Sequence, residues 1–422
     1  MSSATEFEQT PLYQEADEIA RLLLSDPPDD PYPLYNRLRE ISPVHRVSTT
    51  GDWVVSGYDV LTEALRDPRF TRDFDDLMKR QHDGDVDYSR PIIKHRISQF
   101  SHANPPTYMK KRAVLTKSIT PTAVKKLSDE IEGYVNELLD AAEAQGQTDM
   151  VKNFSNALTL KLISRVLGFP SPEGDPAWLR AFAPVGHTFR TSITEEMLVE
   201  ADEAILSLNP VITEQIEKVR ANPSSPGDTM VTQVLQAQAE GAPLTDDDIV
   251  ANTIFMFGGA FHTSAALISN AILTLMQHRD QWDLLVSDPE THAKGAVEET
   301  LRFDTAVLSN PPSRLAVEDV ELGGFTIPAG SIMIPLYAAA NHDPLRYEDP
   351  ETFDITRKDI RPLSFGGGPH VCPGQHLARH QTIIALRILA SRFPDMKLAA
   401  EDPPRVIMPL QREVGELQVR FA

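Results

Sequence analysis

The single cysteine of the chain, Cys372, lies in a glycine-rich loop directly before a helical pattern. The loop runs from Phe365 to Gly374 and reads FGGGPHVCPG. A thiol at the N-terminus of a helix experiences the positive end of the helix dipole and several unpaired backbone N–H groups, and both favour the thiolate. Consecutive glycines let the backbone approach a flat group closely. The loop therefore predicts a thiolate beside a closely approaching partner. The alternative is a buried cysteine that packs as a small hydrophobic residue.

The same loop matches every fixed position of F-G-x-G-x-H-x-C-x-G, the heme-binding signature of the cytochrome P450 family. The chain resembles that family over nearly its whole length. The resemblance implies that Cys372 is the axial ligand of heme b, iron protoporphyrin IX, with Phe365, Gly366 and Gly374 as further heme contacts. Pro373 has no N–H to offer to the sulfur, which leaves more electron density there for O–O cleavage.

Glu299 and Arg302 match the family's E-x-x-R pattern, and the segment 341–357 resembles the meander that supplies Arg357. E-x-x-R occurs by chance on many solvated helices, so its significance comes from the cysteine loop downstream. The resemblance implies that these three side chains form a structural ion-pair network beneath the heme.

Several basic residues are candidates for binding the two heme propionates, because a buried carboxylate requires hydrogen bonds or opposite charge. By resemblance these residues are His370, Arg314 and Arg112. Tyr108 stands where bacterial relatives usually have a histidine, so one propionate contact becomes a phenol or is lost. For the basic run 110–112, a solvated helix face is the alternative interpretation.

The sequence GAFHTS, which begins at Gly259, resembles the family's oxygen-activating motif A/G-G-x-D/E-T-T/S. The resemblance implies that Gly259 and Ala260 approach the heme, and that the Thr263 hydroxyl hydrogen-bonds dioxygen and helps to deliver protons. His262 stands where an acid is expected. An imidazole, with an unperturbed pKa of about 6.5, can relay protons, and a core histidine bonded to a backbone carbonyl is the alternative. Catalytic roles are predicted for Thr263, His262 and Cys372.

Composition restricts the class of protein. The chain has 422 residues, 41% of them hydrophobic, which allows a substantial core and excludes wholesale disorder. Lys and Arg total 40 against 61 Asp and Glu, and the net charge of -21 argues against nucleic acid or an anionic membrane as a partner. One cysteine cannot form an internal disulfide, and the acidic N-terminus lacks a signal-peptide pattern, so a cytoplasmic location is expected.

The segment from Ile249 to Met276 contains no Asp, Glu, Lys or Arg, which by hydropathy alone could indicate a membrane span. It contains His262 and several Asn, Ser and Thr residues, lacks Trp and Tyr, and follows three aspartates. This pattern favours a helix buried in a soluble protein. Thr245 with Asp248 resembles a capping box that begins the helix.

Helical periodicity dominates the sequence. Helices are predicted over 58–66, 122–144, 153–167, 201–222, 245–279, 288–303 and 373–393, and strands over 53–55, 320–327, 331–337 and 416–421. Proline clusters at element boundaries and no repeat or linker divides the chain, so one domain over residues 1–422 is expected. The fold class is mainly α with small β-sheets. The resemblance implies the triangular cytochrome P450 fold with a long central helix.

The resemblance implies a monooxygenase that activates O2 and oxidises a small apolar or amphipathic molecule, typically by hydroxylation, as in secondary metabolism. Because the one cysteine is used by heme, electrons must come from separate proteins, a ferredoxin and a ferredoxin reductase, and NAD(P)H takes part only through them. Lys110, Lys111 and Arg112 predict the ferredoxin docking site on a chain expected to be a monomer. Substrate contacts are expected within 71–101, 168–201, 259–263, 306–310 and 412–415.

Two alternatives remain open at this stage. In the first, the fold is the same but the reaction is a coupling, cyclisation, nitration or peroxide-driven oxidation, because His262 replaces the usual acid. In the second, the protein is a heme-containing binder or sensor that does not turn over.

Overall fold

The computed structural model describes residues 10–72, 74–81, 84–103, 106–169, 180–187, 193–222, 229–309, 314–400, 402–408 and 411–421. Helices account for most of them. In chain order the α-helices are α1 (Pro11–Ser25), α2 (Tyr32–Ile41), α3 (Tyr58–Ala64), α4 (Phe74–Gln81), α5 (Pro91–Ser98), α6 (Thr107–Leu115), α7 (Pro121–Lys125), α8 (Ser128–Glu143), α9 (Ala157–Leu167), α10 (Phe182–His187), α11 (Glu195–Ala221), α12 (Met230–Ala239), α13 (Asp246–Gln277), α14 (Arg279–Ser287), α15 (Pro289–Phe303), α16 (Tyr337–Asn341) and α17 (Gln375–Arg392). A π-helical turn covers Val151–Asn156, and 3-10 turns cover Phe100–His102, Lys117–Ile119, Leu363–Phe365 and Gly368–His370.

The strands are short. They are β1 (Val44–Arg46), β2 (Trp53–Val55), β3 (Phe70–Thr71), β4 (Gln147–Asp149), β5 (Arg314–Ala316), β6 (Val320–Leu322), β7 (Phe325–Ile327), β8 (Ile332–Pro335), β9 (Lys397–Leu398), β10 (Arg405–Met408), β11 (Gln411–Val414) and β12 (Gln418–Arg420). The largest sheet has the order β1-β2-β8-β5-β3, a second has the order β4-β12-β9, and β6-β7 and β10-β11 are hairpins. Only β2 and β8 pair in parallel among these strands of the described residues, with Trp53 opposite Met333. The predicted class, mainly α with small β-sheets, is confirmed.

The long helix α13 begins at the predicted capping box. The Thr245 hydroxyl accepts a hydrogen bond from the Asp248 N–H at 3.0 Å, and the Asp248 carboxylate accepts one from the Thr245 N–H at 3.1 Å. The most apolar part of α13 is 72% buried by the rest of the protein, which supports the prediction of a core helix. The helix packs against α9, α11, α15, α17 and β11, so its middle turns reach the interior of the molecule.

Several predicted elements have different bounds. The helix predicted over 122–144 is divided into α7 and α8, because the N–H groups of Lys126 and Leu127 bond carbonyls three residues earlier rather than four. The helix predicted over 201–222 begins at Glu195, where the Thr194 hydroxyl accepts from the Met197 N–H at 3.2 Å. The strand predicted over 320–327 is the hairpin β6-β7, which turns at two glycines with positive φ, Gly323 and Gly324.

Candidate active site

A cavity of about 320 Å³ lies between the middle of α13 and the cysteine loop. Most residues that the sequence predicted for the site line it. They are Tyr108, Arg112, Gly259, Ala260, Thr263, Arg314, Phe365, Gly366, His370, Cys372 and Gly374. Side chains from widely separated parts of the chain therefore meet at one place.

The cysteine loop is held in a shape that requires glycine. Gly366 and Gly368 have φ values of 69° and 64°, a region that side chains rarely adopt. A Cβ atom on Gly368 would lie 2.1 Å from the carbonyl oxygen of Leu65, so the loop presses closely on the end of α3. The Cys372 N–H donates to the Phe365 carbonyl at 2.9 Å, which turns the thiol toward the start of α17.

The Cys372 side chain lines the cavity and is half-buried. Burial raises the pKa of this thiol above its usual value, while the Gly374 and Gln375 N–H groups and the charges of Arg112 and Arg379 lower it by less. The effect predicted from the helix terminus is therefore present, and burial outweighs it. A metal cation at the sulfur favours the deprotonated form.

Four basic side chains line the same cavity, and we call Arg72, Arg112, Arg314 and His370 the cation rim. Burial together with the charge of Arg72 lowers the pKa of Arg314 to about 9. Burial and the three guanidinium groups lower the pKa of His370 to about 2. A group of like charges at an internal cavity suits an anionic ligand. Arg72 lies in the predicted segment 71–101 but was not predicted to bind a propionate, since a lone arginine after β3 belongs to no motif.

The Tyr108 hydroxyl has two partners within the protein. Its side chain is fully buried, its hydroxyl donates to the Pro369 carbonyl at 2.8 Å, and it accepts a hydrogen bond from Arg112. Its ring lies 4.1 Å from the ring of His370, between centroids. The phenol thus connects α6 to the cysteine loop and orients two members of the cation rim.

The residues of the cavity fit a heme. The thiol of Cys372 is a soft ligand for iron, and the cation rim would hold two propionates by charge and hydrogen bonding. The glycines of the loop leave room for a close planar group. Apolar walls that would enclose the ring come from Phe100, Leu267 and Leu301.

Glu299, Arg302 and Arg357 meet as the sequence predicted. Both carboxylate oxygens of Glu299 accept from Arg302, at 2.7 and 2.8 Å, and both side chains are 0% exposed. Arg357 approaches the same carboxylate at 3.4 Å. Arg302 also donates to the Pro350 and Thr352 carbonyls at 2.7 and 3.0 Å. We call Glu299, Arg302 and Arg357 the Glu299 network.

The centre of α13 contributes Gly259, Ala260 and Thr263 to the cavity wall. The Thr263 hydroxyl donates to the Gly259 carbonyl at 2.7 Å, so its proton is held by the helix and its oxygen remains an acceptor. A hydroxyl placed in this way can exchange its proton with a group in the cavity.

His262 is not among the residues that line the cavity. Its ring packs against Phe261, with centroids 4.8 Å apart, and burial lowers the pKa of the imidazole below its usual value. The side chain is therefore neutral at pH 7 and lies beside the predicted site rather than inside it.

Some of the segments predicted to contact substrate line the cavity. The lining residues are Arg72, Phe100 and Ser101 from 71–101, and Ala306, Val307 and Ser309 from 306–310. No residue of the predicted segment 412–415 lines the cavity, but the preceding residue, Gln411, does. The side chain of Arg412 points instead to the Asp304 carboxylate, to which it donates a hydrogen bond. Residues 170–179, 188–192 and 310 lie outside the described residues, and the described part of 168–201 contributes no lining residue.

The basic run on α6 is less available than its sequence suggested. Lys111 forms an ion pair with Asp248 at 2.7 Å, and Arg112 lines the cavity. Lys110 keeps an exposed side chain. A second basic surface surrounds a depression of about 510 Å³ beside the cysteine loop; its basic residues are Arg66, Lys294, Arg361, His376 and Arg379.

Comparison with known proteins places these features in context. A sequence model of the cytochrome P450 family matches residues 175–285 and 292–416. The cytochrome P450 monooxygenase PikC of Streptomyces venezuelae is 31% identical over 376 residues, covering 87% of this chain and 85% of PikC. The 6-deoxyerythronolide B hydroxylase of Saccharopolyspora erythraea is 30% identical over 414 residues, covering 93% of this chain and 96% of the hydroxylase.

Solved structures show the same likeness. The cytochrome P450 enzyme CxnD, described as acting in C–S bond formation in chuangxinmycin biosynthesis, superposes with a TM-score of 0.85 at 25% identity. The match covers 95% of this chain and 96% of CxnD.

Proposed function

The chain belongs to the cytochrome P450 family, whose members bind heme and act as monooxygenases, and we propose that it hydroxylates an apolar or amphipathic small molecule of secondary metabolism. The observation that carries this proposal is the presence of the Cys372 thiol, the Thr263 hydroxyl and the cation rim on the walls of one cavity. When bound, heme supplies the iron at which O2 is reduced and split, so that one oxygen atom enters the substrate and the other leaves as water.

The residues around the cavity have separate tasks in this proposal. Cys372 would bind the iron and donate electron density to it. The cation rim would hold the propionates by charge and hydrogen bonding. The Glu299 network keeps α15 and the segment after α16 in place around Arg302, without touching the cavity.

Proton delivery is assigned to Thr263. Its hydroxyl proton is shared with the Gly259 carbonyl at 2.7 Å, and rotation about the Cβ–Oγ bond would turn that proton toward the cavity. His262 is one residue away on α13 but outside the cavity, so in this scheme it supplies protons through water or through Thr263 rather than directly.

The substrate class follows from the walls. Phe255, Met256, Leu267 and Val307 present apolar surface, and Gln411 adds an amide. Such a lining favours an apolar skeleton that carries a polar group. The hydroxylase from Saccharopolyspora and the monooxygenase PikC support a secondary metabolite as the substrate.

Cys372→Ser tests the proposed function. A serine hydroxyl is a far weaker donor than a thiolate, so the variant should lose the long-wavelength Soret band of the reduced carbon monoxide complex. Wild-type protein should show that band, and should consume O2 and NADH in a substrate-dependent way with ferredoxin and its reductase. A wild-type protein that binds heme but never consumes O2 would instead be the binder or sensor.

Electron delivery is proposed from a ferredoxin docked at the basic surface around the depression, because that surface borders Gly366 and Gly367 of the cysteine loop. Arg66 and Lys294 are exposed there. Replacing both with Glu should slow reduction of the iron by about tenfold, and wild-type reduction should slow as salt is added. Lys397→Glu, outside the depression, is the matched control. Equal rates in all three proteins would move the docking site elsewhere, with Lys110 the next residue to test.

A second candidate function is an atypical oxidation such as coupling or cyclisation. Two observations favour it: His262 occupies the position of the usual acid, and the similar structure CxnD is described as forming a C–S bond. The ratio of NADH consumed to oxygenated product distinguishes the two functions. A product without added oxygen would support the second.

A further inference from the structure

A buried carboxylate joins three parts of the chain beside the cavity. Asp304 follows the last residue of α15 and is 3% exposed. Around it lie two residues of α13, Asn270 and Thr274, and two arginines of the hairpin β10-β11, Arg405 and Arg412. We call these five residues the Asp304 junction.

Every bond of the junction links different elements. One Asp304 carboxylate oxygen accepts from Arg405 at 2.7 Å and from Thr274 at 3.2 Å, and the other accepts from Arg412. The Asn270 amide donates to the Asp304 carbonyl at 3.2 Å and to the Arg412 carbonyl at 3.1 Å. Its oxygen accepts from Arg405 at 3.1 Å.

Asp304 is the one negatively charged residue of the junction, and both arginines donate to its carboxylate. Burial would raise the pKa of Asp304, but the charges of Arg405 and Arg412 outweigh it and hold the pKa below the usual range. Asp304 is therefore ionised at neutral pH. Neutralising it would leave two guanidinium groups side by side without a carboxylate and weaken the attachment of the hairpin.

The junction lies directly behind a wall of the cavity. The Arg412 N–H donates to the Ala306 carbonyl at 3.0 Å, and Val307 pairs with Gln411 across the same bridge. Thr305, Ala306, Val307 and Gln411 all line the cavity. The position of this wall relative to α13 is thus set by bonds that the substrate never contacts.

We propose that Asp304 is a specificity-determining positioning residue, which fixes the wall formed by Thr305, Ala306, Val307 and Gln411 against α13 and so sets the shape that the substrate must match. This proposal rests on the proposed function, because it assumes that the cavity holds heme and substrate. Asp304 itself touches neither.

Two nitrogen ligands test it with the heme-loaded enzyme. Imidazole needs only access to the iron, whereas 4-phenylimidazole must also fit its phenyl ring between the cavity walls. In Asp304→Asn, the dissociation constant of 4-phenylimidazole, read from the Soret shift, should rise by about tenfold, while that of imidazole changes by less than about twofold. Arg412→Gln leaves the ion pair between Asp304 and Arg405 in place. In this variant the dissociation constant of 4-phenylimidazole should rise by about threefold, and that of imidazole should again change little.

The matched control is Asp343→Asn. Asp343 is 5% exposed and accepts from the Tyr58 and Leu345 N–H groups at 2.8 and 2.9 Å, but it does not line the cavity. This variant should lower the melting temperature and leave the ratio of the two dissociation constants unchanged.

If both junction variants also leave that ratio unchanged, or if Asp343→Asn shifts it equally, Asp304 has no positioning role. If Asp304→Asn does not fold, Arg412→Gln decides the question. Absence of the carbon monoxide Soret band in wild type would instead overturn the proposed function.

Discussion

The Glu299 network and the cation rim are both clusters of charged side chains, and they differ in the balance of their charges. In the network, one carboxylate is shared by Arg302 and Arg357, with the Arg302 contacts at 2.7 and 2.8 Å. In the rim, guanidinium groups surround His370 and lower its pKa to about 2, after the larger effect of burial. Opposite charges meet in the first cluster, and like charges meet in the second.

The difference separates folding from cofactor binding. A buried ion pair whose hydrogen bonds are complete needs nothing else to be stable in the folded protein. A group of like charges at a cavity gains stability when a ligand brings the opposite charge. The two clusters should therefore respond differently when heme is added to a variant that lacks one charge.

The largest effect is expected for Glu299→Ala. It leaves Arg302 buried without its carboxylate, which typically costs about 3–5 kcal/mol of unfolding free energy. Heme content after purification should fall as well. The control is Glu298→Gln on the same helix, which breaks the more exposed pair with Arg379 at 2.7 Å. In a denaturant titration the control should lose at most about 1 kcal/mol of unfolding free energy. Equal losses in the two variants would show that the Glu299 network contributes no more to stability than an ordinary ion pair.

Acid should destabilise the folded protein through the buried His95 of α5. Burial and the charge of Arg96 lower the pKa of His95 to about 3. Because this is below the usual value of 6.5, the unfolded chain takes up a proton that the folded chain refuses as pH falls from 6.5 toward 3. Stability should fall through that window by up to about 1.4 kcal/mol for each pH unit.

His95→Asn should weaken this dependence of the melting temperature on pH by the contribution of one histidine, because burial also lowers the pKa values of His102 and His370. His376→Asn, at an exposed position on α17, is the control and should retain it. A wild-type melting temperature that stays constant from pH 6.5 to pH 5 would show that His95 is not held neutral by its surroundings.

Arg314→Gln distinguishes the two clusters most directly. In heme-free protein it removes one of the guanidinium groups that lower the pKa of His370, so the melting temperature should fall by less than in Glu299→Ala. With heme it removes a propionate partner, so heme should transfer to a heme acceptor such as apomyoglobin at least about tenfold faster. Arg420→Gln, on the exposed face of β12, should change neither quantity. A loss of heme-free stability comparable to that of Glu299→Ala would show that the rim also stabilises the fold.

The smallest effect concerns His262, whose pKa is lowered by burial. If the imidazole relays protons, the coupling of NADH use to product should change with pH below about 6.5, and His262→Ala should abolish that change. The loss should be smaller than the roughly 100-fold typical of a direct general acid, because the ring does not line the cavity. His262→Asp should restore part of the coupling. A pH profile that His262→Ala leaves unaltered would assign the residue to packing alone.

Residues close together in the sequence were the ones that could be predicted. The cysteine loop, Glu299 with Arg302, and the capping box at Thr245 each depend on residues within a few positions of one another, so a local pattern carries them. The mainly helical class followed from periodicity for the same reason.

Contacts between distant residues that belong to no family motif could not be predicted. Arg72 joins the cation rim only because β3 pairs with β5, which carries Arg314. The Asp304 junction joins Asp304 to two arginines, Arg405 and Arg412, which follow it by 101 and 108 positions in the sequence. The division between α7 and α8 was also not predicted. The apolar periodicity continues through Lys126, whereas its N–H group bonds the Ala123 carbonyl three residues earlier, as in a 3-10 turn.

The bond between Tyr108 and Pro369 spans 261 residues, and a similar bond from Tyr58 to the Arg361 carbonyl spans 303. A ribosome releases the chain from the N-terminus, so α6 emerges long before the loop that completes its hydrogen bonds. Contacts of such sequence separation form slowly and cannot guide early folding. The cavity walls contributed by the N-terminal half therefore stay open to solvent until nearly all of the chain has been made, and during translation they are surfaces for chaperones or for aggregation.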